Sequence, residues 1–214
     1  MQGEIQYNPA REAEIPRGLI STPRLPASPQ EEAVIAKSQE IWLLPFMALF
    51  TGMRKGELRG LKWEDIDMTR KLIHVQRSVW DSAGTHIKPP KTKAGNRLIP
   101  IPDVLCRELE KHRQKAKDLT HYVFGGEKPI SEKKYRYMYA KFQNQTGITA
   151  TAQQLRKSYA TMAVGANMAP DVLASIFGHE DITTTLNIYS QVREDRIIAA
   201  ANQLTLISSG SHKS

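Results

Sequence analysis

The chain has 214 residues, which is long enough to bury a hydrophobic core and favours one domain with or without appendages. Its 30 Lys and Arg residues exceed its 22 Asp and Glu residues, and the net charge is +8. This surplus suits a polyanionic partner, since phosphates neutralised by cations release counterions, although a solubilising surface charge would give the same balance. Its single cysteine, Cys106, excludes an internal disulfide framework and metal-ligand spacing, and fits a reducing cytosol. No apolar run reaches the ~20 residues of a membrane span, and the N-terminus lacks an apolar signal core.

The first part of the chain is predicted to be a connector followed by a helix. Residues 1–29 carry five prolines and little hydrophobic periodicity, which is typical of an extended linker. At "SPQE", Ser28 can cap a helix, Pro29 suits the first helical position and Glu31 completes a capping box. The helix is predicted to continue through "EAVIAKSQEIWLL" until Pro45 breaks or kinks it.

A small sheet is predicted after two further short helical segments, the first of which ends at Gly52. "KLIHVQRS" and "RLIPI" are rich in apolar and β-branched residues, as strands are. The segment between them contains turn-forming residues, and "WEDID" is a candidate third strand. These patterns predict a small antiparallel sheet with a basic hairpin.

Helical patterns return in the second half. Ser131 precedes a segment whose Tyr135, Met138, Tyr139 and Phe142 have the spacing of a buried helical face. Further helices are predicted at "PDVLCRELEKHRQKAKD", after a Thr151 and Gln154 capping box, and from Pro170 to Gly178. A last helix carries Tyr189 and continues through "REDRIIAAANQL". The predicted fold class is mainly α with a small antiparallel β-sheet (α+β).

Four segments of the chain resemble motifs of the tyrosine recombinases, the phage-integrase family. "ALFTGMRKGELRGLKWEDID" resembles the first arginine motif, and "KPPKTKAGNRLIPIP" the β-hairpin lysine segment. "TAQQLRKSYATMA" resembles the second arginine motif, and "GHEDITTTLNIYSQV" the histidine and nucleophile motif. One such motif would be a weak signal, whereas four in the family's order and at its usual separations are a strong one. The resemblance implies an interdomain linker at 1–29, an integrase catalytic domain at 30–203, a tail at 204–214, and a preceding core-binding domain absent from this chain.

The resemblance assigns five residues to DNA strand cleavage. Arg54 and Arg156 would hold the scissile phosphate with His179, because guanidinium forks match the non-bridging oxygens that gain charge during displacement. Tyr189 would attack, although a phenol with a pKa near 10 needs a positive field or a base to do so. Lys91 would protonate the leaving 5′ oxygen. The 3′-phosphotyrosyl bond would conserve bond energy, so no nucleotide cofactor or metal is implied.

Three positions leave alternatives open. Lys93 is close enough in sequence to replace Lys91, and Glu57 either orients the Arg54 guanidinium or forms a simple helix ion pair. The family's second arginine motif usually begins with histidine, but here Gln153 occupies that position. Glutamine donates a hydrogen bond but carries no proton at neutral pH. Its presence predicts either a mild effect or a rate reduced by about 10²–10⁴.

The function implied is that of a site-specific DNA recombinase or integrase of a phage or conjugative transposon. The resemblance implies double-stranded DNA as partner, a tetramer on two DNA sites through exchange of C-terminal segments, no membrane, and a place in the bacterial cytoplasm with the nucleoid. One alternative is a type IB topoisomerase, which the compact spacing of His179 and Tyr189 disfavours. Another is a DNA-binding or architectural relative that lost efficient catalysis at Gln153. His179 beside a helix end could also be only a cation favoured by the helix dipole.

Overall fold

The computed structural model describes residues 25–38, 42–89, 95–179, 181–190 and 192. Most of the predicted linker, the segment with Lys91 and Lys93, and the tail at 204–214 lie outside these residues. The predicted continuation of the last helix, residues 193–204, also lies outside them. The domain boundaries expected from the sequence therefore stay predictions.

The described chain is mainly helical, as the sequence predicted, with helices before and after a small strand-rich middle. The helices are α1 (Pro29–Lys37), α2 (Leu43–Thr51), α3 (Lys55–Gly60), α4 (Asp103–Arg113), α5 (Glu132–Thr146), α6 (Ala152–Gly165), α7 (Pro170–Phe177) and α8 (183–190).

Helix starts follow the predicted capping chemistry. The Ser28 hydroxyl accepts the Glu31 amide, and the Glu31 carboxylate accepts the Ser28 amide at 3.0 Å. Thr151 and Gln154 form the same reciprocal pair at the start of α6. Each pair satisfies amides that have no partner within the helix, so the helix position is set by local sequence.

The predicted long first helix is wrong. α1 ends at Lys37, α2 begins at Leu43, and Pro45 lies within the first turn of α2. Amides of the first turn have no carbonyl four residues earlier to bind, so a proline there removes no helical hydrogen bond. Pro45 therefore belongs to a helix start and does not end a helix.

The strands are β1 (Ile66–Asp67), β2 (Leu72–Val75), β3 (Ser78–Asp81), β4 (Thr85–Lys88) and β5 (Arg97–Pro100). Within the described residues they form two antiparallel sheets. Three strands pair in the order β1-β2-β5, and β3 pairs with β4 as a separate hairpin. Of the candidate strand "WEDID", Trp63–Asp65 forms a 3-10 turn and only the last two residues extend. The sequence analysis did not predict β3 and β4, because their polar residues obscure the alternation of apolar and polar positions that is typical of a strand.

The core is centred on α2, which is apolar on nearly all sides. Eight of its nine residues are buried, and it packs against α1, α3, α4 and α6. A helix surrounded by other helices has no face that needs polar side chains. On α5, Tyr135, Tyr139 and Phe142 are buried as predicted, and Met138 is half-buried against the core. Among the described residues, no helix is long and apolar enough to cross a membrane.

Gly52 ends α2 in a left-handed conformation with φ of +60°, where an added Cβ would lie 2.8 Å from Phe177 Cε1. We expect Gly52→Ala to lower the free energy of unfolding by about 1 kcal/mol through left-handed strain and by about 1–3 kcal/mol more through overpacking. Gly147→Ala is the matched control, because Gly147 has φ of +71° and nothing within 4 Å of an added Cβ. Urea denaturation measures both. Equal decreases in the free energy of unfolding for the two variants would show that the contact with the Phe177 ring adds no destabilisation.

Candidate active site

Arg54 lies where α2 gives way to α3. Its backbone is extended at the start of α3, and the Glu57 carboxylate accepts the Arg54 amide at 2.7 Å. The same carboxylate accepts Arg54 Nη1 at 3.1 Å, while 47% of the arginine side chain stays exposed. Glu57 therefore fixes both the backbone and the guanidinium of Arg54, and leaves part of the guanidinium open to a ligand.

Glu57 is itself held by a second arginine, Arg97. Arg97 Nη1 and Nη2 each donate to one Glu57 carboxylate oxygen at 2.9 Å, and both side chains are buried. Burial alone would raise the pKa of Glu57, but the hydrogen bonds and charge of Arg97, followed by Arg54, lower it below its ordinary value. The Glu57 carboxylate is therefore ionised at neutral pH.

Arg156 reaches the same region from α6. Its Nη1 donates to the Gly52 carbonyl, and its Nη2 donates to the Phe177 carbonyl at 2.9 Å. Its guanidinium carbon lies 4.0 Å from the centroid of the Phe177 ring. The two carbonyls are at the C-terminal ends of α2 and α7, where the helix dipole favours a cation. Burial and the nearby charge of Arg54 lower the pKa of Arg156 to about 9, so it keeps its charge at neutral pH.

His179 follows directly after α7. Gly178 ends that helix, as predicted, and has a left-handed conformation, which glycine commonly adopts just past a helix end. The His179 amide donates to the Ala174 carbonyl at 3.1 Å. Nδ1 of His179 lies 2.9 Å from the buried hydroxyl of Thr185. Burial and the charges of Arg156 and Arg54 lower the pKa of His179 to about 4. The imidazole is therefore neutral at neutral pH, and His179 is not a helix-end cation there.

Tyr189 lies on α8, the helix that follows His179 in the chain. Its hydroxyl donates to the Met168 carbonyl, in the connection between α6 and α7. Burial and the negative charge of Asp171 raise the pKa of Tyr189. In this arrangement the Tyr189 hydroxyl is engaged by the backbone and its phenolate form is disfavoured.

Gln153 is exposed at the start of α6, one helical turn before Arg156. It borders a groove between α5 and α6 that Lys55, Arg136 and Gln143 also line. Lys91 and Lys93 lie outside the described residues, so neither is assigned by the structure.

The structure thus gathers Arg54, Glu57, Arg156 and His179 into one electrostatically coupled region, and it leaves the Tyr189 hydroxyl bound to Met168. Sequence reasoning missed Arg97 and Thr185. A single arginine at the start of a strand gives no sign that it is buried, and a threonine six residues from a histidine has no diagnostic spacing. Among the described residues, no group of three or more His, Cys, Asp or Glu side chains is arranged to hold a metal ion.

The depressed pKa of His179 predicts a loss of stability in mild acid. Between about pH 6.5 and pH 4 the unfolded chain protonates this imidazole while the folded chain does not, so the free energy of unfolding falls as pH is lowered through this window. Above pH 6.5 both states are neutral and the contribution disappears. His179→Asn removes this titration, so the variant should lose less stability than the wild type between pH 6.5 and pH 4. Urea denaturation across this range measures the difference, and identical pH slopes would contradict the assignment.

Known proteins resemble this chain over most of its length. Residues 30–196 match the sequence model of the phage integrase family. A XerC-like tyrosine recombinase of Caldanaerobacter subterraneus subsp. tengcongensis is 31% identical over 182 residues, which cover 73% of this chain and 46% of that protein. The transposase from transposon Tn916 of Enterococcus faecalis is 27% identical over 175 residues, covering 73% and 43%. The chain thus spans about half the length of these curated relatives.

Solved structures agree with the predicted fold. The integrase of transposon Tn1549, in complex with transposon right end DNA, superposes with a TM-score of 0.66 at 25% identity, covering 87% of this chain and 68% of that one. The XerA recombinase superposes with a TM-score of 0.62 at 21% identity, covering 85% and 66%, which supports the fold alone. The catalytic-domain fold predicted from the four motifs is therefore confirmed. Because the family match extends over well more than half of the sequence, this chain belongs to the phage integrase family of tyrosine recombinases.

Proposed function

We propose that the chain cleaves and rejoins double-stranded DNA at specific sites, without a metal or nucleotide cofactor, through a phosphotyrosine at Tyr189. The phenolic oxygen attacks the scissile phosphorus, the bond to the 5′ oxygen breaks, and the 3′ end stays joined to the tyrosine. The phenol proton passes to solvent, and Lys91 gives a proton to the leaving 5′ oxygen. Attack by the free 5′ hydroxyl reverses these steps and rejoins a strand. The observation that carries the proposal is the pair of arginines, Arg54 and Arg156, beside the neutral His179.

The two arginines suit a phosphate that gains charge during displacement. They approach from different helices, and the charge of Arg54 is among the causes that lower the pKa of Arg156. A cation whose pKa is lowered by a neighbouring cation gains free energy when an anion enters between the two. Arg156 uses two of its five N–H groups on backbone carbonyls, and a guanidinium fork has further donors for phosphate oxygens. The arginines would act as a preorganised clamp for the transition state.

The state of His179 fits a hydrogen bond to the same phosphate. If the Thr185 hydroxyl donates to Nδ1, the proton of the neutral imidazole is on Nε2, which can then donate to a phosphate oxygen. We propose this tautomer for the DNA-bound enzyme. A neutral donor adds a hydrogen bond without adding a third full charge beside Arg54 and Arg156.

Tyr189 has to change its surroundings before it can attack. Its hydroxyl is held by the Met168 carbonyl, and Asp171 opposes formation of the phenolate. We therefore propose that α8 shifts when DNA binds, which releases the hydroxyl and brings it into the field of the arginines. A phenol near two guanidinium groups loses its proton more readily than one near a carboxylate.

We infer the biological setting from the relatives. Curated relatives include a transposon transposase, and a structural neighbour is a transposon integrase in complex with transposon right end DNA. We propose that this chain acts likewise in recombination or integration of a mobile genetic element, with duplex DNA as its partner. A tetramer on two DNA sites and a place in the bacterial cytoplasm are part of the same proposal.

The first test is a covalent adduct. A binding site is selected from a randomised duplex pool, and a nick is placed beside the cleavage position so that a short oligonucleotide is lost and religation is prevented. We expect wild-type protein to form an adduct that survives denaturing electrophoresis, and Tyr189→Phe to form none because it lacks the nucleophilic oxygen. Tyr137→Phe is the control, since it removes a hydroxyl from a tyrosine that is 61% exposed on α5. An adduct that persists in Tyr189→Phe would refute the assigned nucleophile.

The second test concerns Gln153. Histidine at this position would supply a group that carries a proton near neutral pH, so Gln153→His should raise the single-turnover rate of adduct formation by about 10-fold or more. Gln153→Asn is the matched control, because it keeps an amide and adds no titratable group. A gain below twofold would mean that the amide already performs the role of this position. If wild-type protein and Gln153→His both bind DNA but neither cleaves it, the chain is a DNA-binding relative and not an enzyme.

A further inference from the structure

We propose that Arg97 is a positioning residue of the strand-cleavage site, and that its single guanidinium group sets Arg54 and the His179 end of α7 in a fixed relation. The inference rests on the proposed function, because it concerns how the same site is kept in order. Arg97 starts β5 and contacts neither DNA nor a reacting atom in this scheme. It acts through the groups that do.

The guanidinium group of Arg97 joins two segments that are distant in the sequence. On one side, Nη1 and Nη2 grip both oxygens of Glu57, which lies 40 residues earlier, at 2.9 Å each. On the other side, Nε donates to the Ile176 carbonyl, 79 residues later, at 2.5 Å. All three bonds are buried and leave the planar fork only one orientation.

Both contacts lead directly to site residues. Glu57 accepts the amide and Nη1 of Arg54, so the orientation of Glu57 decides where the Arg54 guanidinium lies. Ile176 is in the last turn of α7, where carbonyls lack helical partners, and His179 follows three residues later. A shift of Arg97 would therefore move Arg54 and His179 relative to each other.

The arrangement goes beyond what stability requires. Buried ion pairs are often no more stabilising than apolar side chains of similar volume, so burial alone does not explain this pair. Arg59 offers a comparison, because it is a buried arginine like Arg97. It binds Asp81, Glu132 and the Ile130 carbonyl, none of which forms a hydrogen bond with Arg54, Arg156 or His179. Arg97 differs from Arg59 because its partner Glu57 binds Arg54 and its partner Ile176 lies three residues before His179.

Electrostatics give independent support. The positive charge of Arg97 is among the causes that lower the pKa of His179, after burial and the charges of Arg156 and Arg54. It also contributes to the lowered pKa of Arg156. Arg97 is therefore close enough to influence the site by its charge as well as by its hydrogen bonds.

The experiment compares Arg97→Lys with Arg59→Lys. Lysine keeps the charge but cannot grip both Glu57 oxygens and the Ile176 carbonyl in one plane. We expect Arg97→Lys to form the adduct about 10²-fold more slowly in a single turnover, the loss typical of a small misplacement of catalytic groups. DNA affinity should match the wild type. Arg59→Lys should lose stability to a similar degree and cleave at the wild-type rate, once folding is verified by circular dichroism.

A substrate with an uncharged scissile phosphate distinguishes a positioning role of Arg97 from a general disturbance of the site. Replacing one non-bridging oxygen of the scissile phosphate with a methyl group removes the charge that the arginines stabilise. If Arg97 sets the clamp, the deficit of Arg97→Lys should shrink from about 10²-fold to below about 10-fold on the methylphosphonate, because less charge needs to be stabilised. An equal deficit on both substrates, or none on the phosphodiester, would overturn the proposal.

A measurement without DNA keeps this inference separate from the proposed function. The pKa of His179 is followed by NMR in wild-type protein, Arg97→Gln and Arg59→Gln. Removing the Arg97 charge leaves Glu57 less compensated, so the His179 pKa should rise in Arg97→Gln and stay unchanged in Arg59→Gln. An unchanged value in folded Arg97→Gln would refute the coupling, even if the wild type cleaves DNA. A raised value would support the coupling, even if the wild type forms no adduct.

Discussion

The buried carboxylate of Glu57 is the charge on which the arrangement of the site depends. A phosphate-binding site must hold several cations close together before its anion arrives, and those cations repel one another. Glu57 lies against Arg54 and Arg97 and stays ionised, because the favourable contacts outweigh its desolvation. Carbonyl groups at the ends of α2 and α7 do the same for Arg156 without a full charge. The protein thus offsets part of the repulsion and leaves the remainder to attract a ligand.

The remaining repulsion sets the protonation states around it. His179 stays neutral because burial and two neighbouring arginines oppose a further positive charge. Arg156 holds its proton less tightly than an exposed arginine would. Tyr189, bound to Met168 and close to Asp171, has its pKa shifted in the opposite direction from the one that nucleophilic attack requires. Under the proposed function, these states leave the site ordered for an anion while Tyr189, the proposed nucleophile, stays bound to Met168.

The same residues serve the fold and the site. Gly52 ends α2, packs against the rings of Tyr159 and Phe177, and presents its carbonyl to Arg156. Phe177 ends α7, supplies the second carbonyl and lies beneath the guanidinium. Helix ends are natural places for such roles, since their last carbonyls have no partner within the helix. Changes in packing at these ends are therefore changes in the geometry of the site.

The sequence by itself determined the features that depend on neighbouring residues or on an ordered set of motifs. Four features could be predicted in this way: capping at Ser28 and Thr151, the buried face of α5, the helix end at Gly178, and membership of the family. The first three depend on residues within one short segment, and the last depends on the order of several such segments. Only the tertiary structure showed that Pro45 starts a helix, that Arg97 is buried on Glu57, and that Thr185 contacts His179. It also decided where the Tyr189 hydroxyl lies. The burial of a side chain and the identity of its partner depend on segments that come into contact only when the chain folds. Local sequence patterns therefore do not predict them.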